Sequence, residues 1–256
     1  MKQTFLTALA AALLFPALAL AQPTCTSLIV TGHPSYPPVS EANDGTLVGA
    51  APKLVAAIAD RMGVKTVTVK DYGGWDKAQA ATRSGEADVI FGIYKNDERA
   101  KWLDYVEPPF MMDPVSIVVR KGEGFAFANW DDLKGRKGVT NAGESFGNKF
   151  DAFMAASLSV ARADGVDKAL GALMDKRADY LIIGLYPGKL EAEKMGLADK
   201  VAFLDKPVDS FGMYVGFSKA SKCNAMKAEF AEILVKGVES GRVDKLIEEA
   251  QKRGHQ

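Results

Sequence analysis

Apolar and polar positions along this chain switch repeatedly between a strand-like and a helix-like period. Ser27 to Thr31 (SLIVT) is a short apolar run bounded by Gly32 and Pro34, and it predicts a buried strand. Leu54, Val55, Ile58, Ala59 and Met62 then recur at helical spacing, with Gly63 as the stop. Val64 to Val69 returns to strand; Asp76 to Ser84 predicts a short helix ended by Gly85, and Asp88 to Tyr94 the next strand. The second half repeats the theme, with strand over Lys137 to Thr140, a helix N-capped by Ser145 and running through Ala156, a helix over Val166 to Lys176, and strand over Tyr180 to Gly184. This alternation is the pattern of βαβ units and a mostly parallel sheet. Between the halves, Val115 to Arg120 (VSIVVR) is an extended β-branched run that follows Pro108, Pro109 and Pro114, and Met213 to Phe217 (MYVGF) is a second one before a helical tail. Two such runs predict one crossing out and one back, with the last helices rejoining the first half.

The N-terminus changes the picture by fixing a compartment. Lys2 precedes an apolar run from Phe5 to Leu20, interrupted by Pro16 and ending in Ala19-Leu20-Ala21. That is a cleavable secretory signal over residues 1–21, with cleavage after Ala21 and an apolar run shorter than the roughly 20 residues a membrane span needs. No other segment approaches a span, so the mature chain is expected not to insert into a membrane. It holds 235 residues (256 minus 21) with 31 basic and 32 acidic side chains, a balance that gives no electrostatic case for nucleic acid. Export to an oxidising space predicts a disulfide between Cys25 and Cys223, against the alternative of two free buried thiols. The bridge would place both chain ends in one half of the molecule.

Catalytic chemistry has little to draw on. The chain has two histidines, His33 and His255, and neither a Gly-x-Ser-x-Gly nucleophile elbow nor a P-loop, so no catalytic residue, metal site or cofactor is expected. Binding features are better defined. Gly32 to Pro38 (GHPSYPP) follows the first strand, at the end of a parallel strand where α/β sheets receive ligands. Its prolines would hold Tyr36 as a platform, or Tyr36 packs under the loop; His33 reads as a surface turn residue or a contact. Arg99 follows the strand ending at Tyr94, where a guanidinium can grip a carboxylate through two parallel hydrogen bonds, or lie exposed beside Asp97 and Glu98. Gly143-Glu144-Ser145 sits between strand and helix, as an anion-binding turn, a capping turn, or both.

In their order and spacing, Tyr36-Pro37-Pro38, Gly45-Thr46-Leu47-Val48-Gly49, Gly85-Glu86-Ala87-Asp88, Asp97-Glu98-Arg99, Asp104-Tyr105-Val106-Glu107-Pro108, Asp131-Asp132-Leu133-Lys134-Gly135 and Arg177-Ala178-Asp179 resemble family 3 of the bacterial extracellular solute-binding proteins, the polar amino acid group. The resemblance covers essentially the whole mature chain. It implies a type II periplasmic-binding-protein fold with two α/β lobes joined by two crossing strands: lobe 1 over 22–115 and 213–256, lobe 2 over 116–212. It further implies a monomer in the periplasm that closes on a small polar ligand, an amino acid or organic acid, and delivers it to the permease of an ABC transporter. Carried over by position, Tyr36 packs on the ligand, Arg99 takes its α-carboxylate, Gly92 and Tyr94 line the pocket, and Gly143 to Ser145 assist the carboxylate. Two positions depart from the family: Glu144 stands in the middle of the turn, and Gly184 stands where an aspartate for the ligand ammonium is expected. Losing that carboxylate removes a bond of about 1.5–3 kcal/mol, so Glu144 takes over the acidic function, or the ligand lacks an amino group, or Glu144 neutralises Arg99. A dehydratase on the same scaffold, resembling cyclohexadienyl dehydratase, and a ligand-binding sensor are the rival functions; Gly184 argues against the first.

Overall fold

The computed structural model describes residues 25–253, so the expected signal segment lies outside the described residues. The first half runs β1 (Ser27–Gly32), β2 (Ser35–Tyr36), β3 (Ser40–Asn43), β4 (Thr46–Val48), α1 (Ala50–Arg61), β5 (Thr66–Val69), α2 (Trp75–Ser84), β6 (Val89–Tyr94) and α3 (Asp97–Ala100). An 18-residue strand, β7 (Leu103–Arg120), leads out of it. The second half holds β8 (Lys137–Asn141), α4 (Gly147–Ser157), β9 (Ser159–Ala163), α5 (Val166–Met174), β10 (Tyr180–Gly184), α6 (Leu185–Lys194) and β11 (Val201–Phe203). Strand β12 (Asp209–Ser218) returns, and α7 (Lys227–Glu239) and α8 (Arg242–Arg253) complete the chain.

The main sheet has the order β5-β1-β6-β12-β7-β10-β8-β9, with β11 on the far end of β7, while β2, β3 and β4 form a small sheet of their own. Within each half the pairing is parallel, β1 with β5 and β6, and β8 with β9 and β10. The crossing strands are antiparallel to their neighbours, so the sheet is mixed rather than mostly parallel. Strand β7 pairs with β12 from Leu103 to Val115 and then with β10 from Val115 to Val118, which makes it common to both halves. This is two α/β lobes joined by two crossing strands.

Burial follows the patterns in the chain. Every residue of β6 (VIFGIY) and of β10 (YLIIG) is buried, as expected for strands covered on both faces. Helix α1 turns Leu54, Val55, Ile58 and Ala59 inward, each large apolar side chain contributing about 1.5–3 kcal/mol. A separate cluster in the second half packs Leu170 and Leu173 of α5 on Val139, Leu181 and Ile183. The Cys25–Cys223 disulfide is present, bridging 198 positions with Cα atoms 5.4 Å apart, and Phe217 meets Phe230 of α7 edge-on at 5.4 Å. Both ends of the described chain therefore pack together.

One local expectation fails. Ser145 does not cap α4, which starts at Gly147 with Phe146 in the N-cap position. Asp151, inside the helix, instead accepts from the Phe146 N–H at 2.8 Å and from the Ser145 hydroxyl. A carboxylate within the first turns thus does the capping and holds the turn before it.

Candidate ligand-binding cleft

The crossing strand carries a carboxylate into the space between the halves. Asp113 of β7 is completely buried, and its Oδ2 accepts hydrogen bonds from the Tyr36 hydroxyl at 2.7 Å and the Tyr94 hydroxyl at 2.6 Å. The two phenol oxygens are themselves 2.6 Å apart. Three oxygens thus form a triangle with hydrogen-bonding length on every edge, while two phenols supply only two protons. Below about pH 6 a proton on the carboxyl completes the ring. Burial points the same way: it lifts the Asp113 carboxyl from 3.8 to about 6, although the Tyr94 and Tyr36 bonds pull downward. Both phenols are held protonated, first by burial and then by the charge of Asp113. The other carboxyl oxygen, Oδ1, is buried without a hydrogen-bond partner among the described residues.

Gly184, at the junction of β10 and α6, makes this arrangement possible. A Cβ there would lie 2.1 Å from the Tyr36 hydroxyl and 2.5 Å from Asp113 Oδ2. An aspartate at position 184 and the Tyr36–Asp113–Tyr94 cluster exclude each other.

Arg99 is 4 % exposed, which rules out the solvent-facing alternative. Asn96 N-caps the short α3 by accepting from the Arg99 N–H at 2.7 Å, which turns the side chain inward. The guanidinium donates from Nε to Gln79 Oε1 (3.0 Å), from Nη1 to the Tyr94 carbonyl (2.9 Å) and from Nη2 to the Gly143 carbonyl (3.0 Å). It lies over the Trp75 ring at 5.6 Å, in cation–π range. Burial works against its charge, and Glu144 is the largest influence in the other direction. Three of its five N–H groups are engaged by neutral acceptors, leaving two for a ligand.

The turn after β8 closes the site from the second half. Gly143 has φ of +77°, and a side chain there would meet Gln79 Nε2 at 2.9 Å, so glycine is required twice over. The Glu144 side chain is 9 % exposed with Oε1 3.3 Å from His33 Nε2, and among the described residues it makes no ion pair with Arg99. His33 is buried at 3 %, contrary to a surface turn residue, and its ring stands 5.2 Å from both Tyr36 and Trp75. Its Nδ1 accepts from the Ser35 N–H at 2.9 Å, while Asn141 Nδ2 lies 3.0 Å from Nε2. Ser145 accepts from Asn96 Nδ2 at 2.6 Å, a further bond between the halves.

The structure therefore brings His33, Tyr36, Tyr94, Arg99, Gly143, Glu144 and Ser145 to one cleft, while Gly92 lies deeper in β6 against Val39. Sequence reasoning missed Asp113, Trp75, Gln79 and Asn141. Asp113 had a signal: it is the lone acid between Met112 and Val115 in an otherwise apolar run, PPFMMDPVSIVV. Beside the cluster, a cavity of about 230 Å³ opens between the halves, walled by His33 and Trp75 on one side and Asn141 and Gly165 on the other. Among the described residues no group of three or more His, Cys, Asp or Glu side chains could hold a metal ion.

The model of the bacterial extracellular solute-binding proteins, family 3, matches residues 28–251. The L-cystine-binding protein TcyJ of Escherichia coli (strain K12) is 30 % identical over 122 residues, 47 % of this chain and 45 % of that protein, so the match spans about half the length of this relative. A probable amino-acid ABC transporter-binding protein of Haemophilus influenzae is 25 % identical over 200 residues, 77 % of this chain and 69 % of that one. The crystal structure of the amino acid ABC transporter substrate-binding protein AbpA from Streptococcus pneumoniae, bound to L-arginine, superimposes with a TM-score of 0.72 at 24 % identity, covering 90 % of this chain and 96 % of that one. At that identity the superposition speaks for the fold. With its family model spanning nearly the whole described chain, and its crossing strands and cleft in place, this protein belongs to the bacterial extracellular solute-binding proteins, family 3.

Proposed function

We propose that this protein works in the periplasm as a monomer, after signal cleavage at Ala21, capturing an amino acid or organic acid for the permease of an ABC importer. Lobe 1 comprises 22–115 and 213–256, and lobe 2 comprises 116–212. The observation that carries this reading is a buried polar cluster contributed by both halves: Arg99 and Gln79 from one side meet Gly143 from the other, with His33 against Glu144. Burying such groups costs several kcal/mol unless they are paired, and pairing across a groove is how closure on a polar solute is stabilised. Tyr36, Tyr94, Arg99 and the Gly143–Ser145 turn are the ligand contacts, with His33 and Gly92 shaping the pocket. No residue is assigned a catalytic role, and incubation with prephenate is expected to leave it unchanged. Among the described residues no helix is long and apolar enough to cross a membrane.

The test is a thermal-shift screen of the purified mature chain over amino acids and organic acids, followed by small-angle scattering with any hit. A ligand that binds only the folded state at 100 times its Kd stabilises by about 2.7 kcal/mol. Melting points unmoved by the whole panel would refute solute capture.

A further inference from the structure

We infer that Asp113 receives a protonated nitrogen of the ligand, and that Asp113 together with Glu144 makes this cleft selective for a cationic solute. The inference rests on the solute-capture reading and names its ligand class. Two observations on opposite sides of the cleft carry it.

The first is the charge inventory of the closed cleft. Arg99 is the buried cation, and all three of its protein partners are neutral oxygens. Two acids share the same enclosure, Asp113 and Glu144. The groups facing Asp113 are the Tyr36 phenol from β2, the Tyr94 phenol from β6, Glu144 from the turn after β8, and the Leu185 N–H at the start of α6. No Lys or Arg among the described residues forms an ion pair with it. With both acids ionised the site holds one negative charge more than Arg99 balances, and a buried charge without a partner is unfavourable. A ligand of net charge plus one removes the imbalance. Its ammonium or guanidinium N–H finds an acceptor ready in Oδ1, which has no partner, and takes over from the carboxyl proton, which leaves to solvent.

The second is the charge of the cavity that adjoins the site at His33. The 230 Å³ cavity that opens beside His33 and Trp75 is rimmed by Asp76, Asp164 and Asp167, and no Lys or Arg is among its lining residues. Asp164 is shared with Lys168 at 3.5 Å on the surface, while the lining of this neighbouring cavity carries three carboxylates and no basic side chain. Such a rim raises the local concentration of cations. Gly184 is the determinant that permits the device, since any side chain there would strike Asp113 and Tyr36.

The experiment is isothermal titration of the mature, disulfide-bonded protein with L-arginine, 1,4-diaminobutane, L-glutamine and L-glutamate. The first two separate a cation bearing a carboxylate from one without. At neutral pH at least one cation is expected to bind tenfold or more tightly than L-glutamine and L-glutamate. Repeating the titration near pH 6 in buffers of different ionisation enthalpy should show proton release on cation binding. Asp113→Asn should lose tenfold or more in cation affinity and release no proton; Glu144→Gln should lose affinity yet still release a fraction of a proton, smaller than the parent's because Glu144 helps to raise Asp113. Preference for L-glutamine or L-glutamate, or cation binding with no proton released by the unmodified protein, would overturn the inference and leave solute capture standing. A flat response to every amino acid, organic acid and diamine would remove both. The proton count is read on the unmodified chain, so it decides the matter even if a variant does not fold.

Discussion

Replacing Asp113 with asparagine should remove a loss of stability that the ligand-free protein suffers as pH rises to neutral. The carboxyl is lifted from 3.8 to about 6 because burial disfavours its charge. The folded state therefore holds the proton more tightly than the unfolded chain. By linkage, this group's contribution to stability is complete below about pH 4 and is lost as pH rises through about 6, amounting to about 3 kcal/mol once the carboxyl is ionised. An asparagine does not titrate and is spared that loss. Its amide nitrogen meets the same unpartnered position as Oδ1, a penalty that does not vary with pH, so the quantity to read is the change in the gap between the two proteins. Urea unfolding of both, without ligand and with the disulfide intact, should show the variant gaining about 3 kcal/mol relative to the parent between about pH 4 and pH 8. In thermal melts of a chain this size that is about 6–12 °C. A gap that stays constant across this range, or that widens in favour of the aspartate as pH rises, would refute the account of Asp113 as a buried, reluctantly ionised acid.

Other expectations concern the residues around it. Gly184→Ala places a methyl within 2.1 Å of the Tyr36 hydroxyl; differential calorimetry should show a loss of about 1–3 kcal/mol, partly recovered by adding Tyr36→Phe. Arg99→Lys keeps the charge but cannot reach Gln79, the Tyr94 carbonyl and the Gly143 carbonyl together, so the urea midpoint should fall by the equivalent of about 3 kcal/mol and ligand affinity with it. Removing the disulfide through Cys25→Ala and Cys223→Ala frees a loop of 198 positions; chain entropy puts the loss at about 5 kcal/mol, measurable by denaturant titration, and an unchanged midpoint would count against it.

The regular elements were legible because local pattern and tertiary position agree there. Leu54 to Ala59 announces a helix face, and the all-apolar runs of β6 and β10 are buried strands. The long crossing strand was harder. Only Val115 to Arg120 could be read as extended, because Pro108, Pro109 and Pro114 suggest a loop. They are tolerated since β10 pairs with β7 only from Val115 onward, leaving the proline stretch open along that edge. The cleft divides in the same way. Arg99 and Tyr36 were singled out by their place after strands and given roles by the family resemblance, whereas Asp113, Gln79, Trp75 and Asn141 meet across separations of tens of residues that no local period records. The surface reading of His33 fails for that reason: its loop becomes interior only when Asn141 and Glu144 arrive from the other half.

The position of Asp113 on β7 has a mechanical consequence. Its charge sits on the strand that joins the halves, with Tyr36 and Tyr94 approaching from one side and the first residue of α6 from the other. Drawing the halves apart admits water to this carboxyl and returns it toward an ordinary acid; bringing them together desolvates it again. If the protein closes on its solute as proposed, gape and proton occupancy become one coupled coordinate, and mild acid should favour the shut jaw while it is unoccupied.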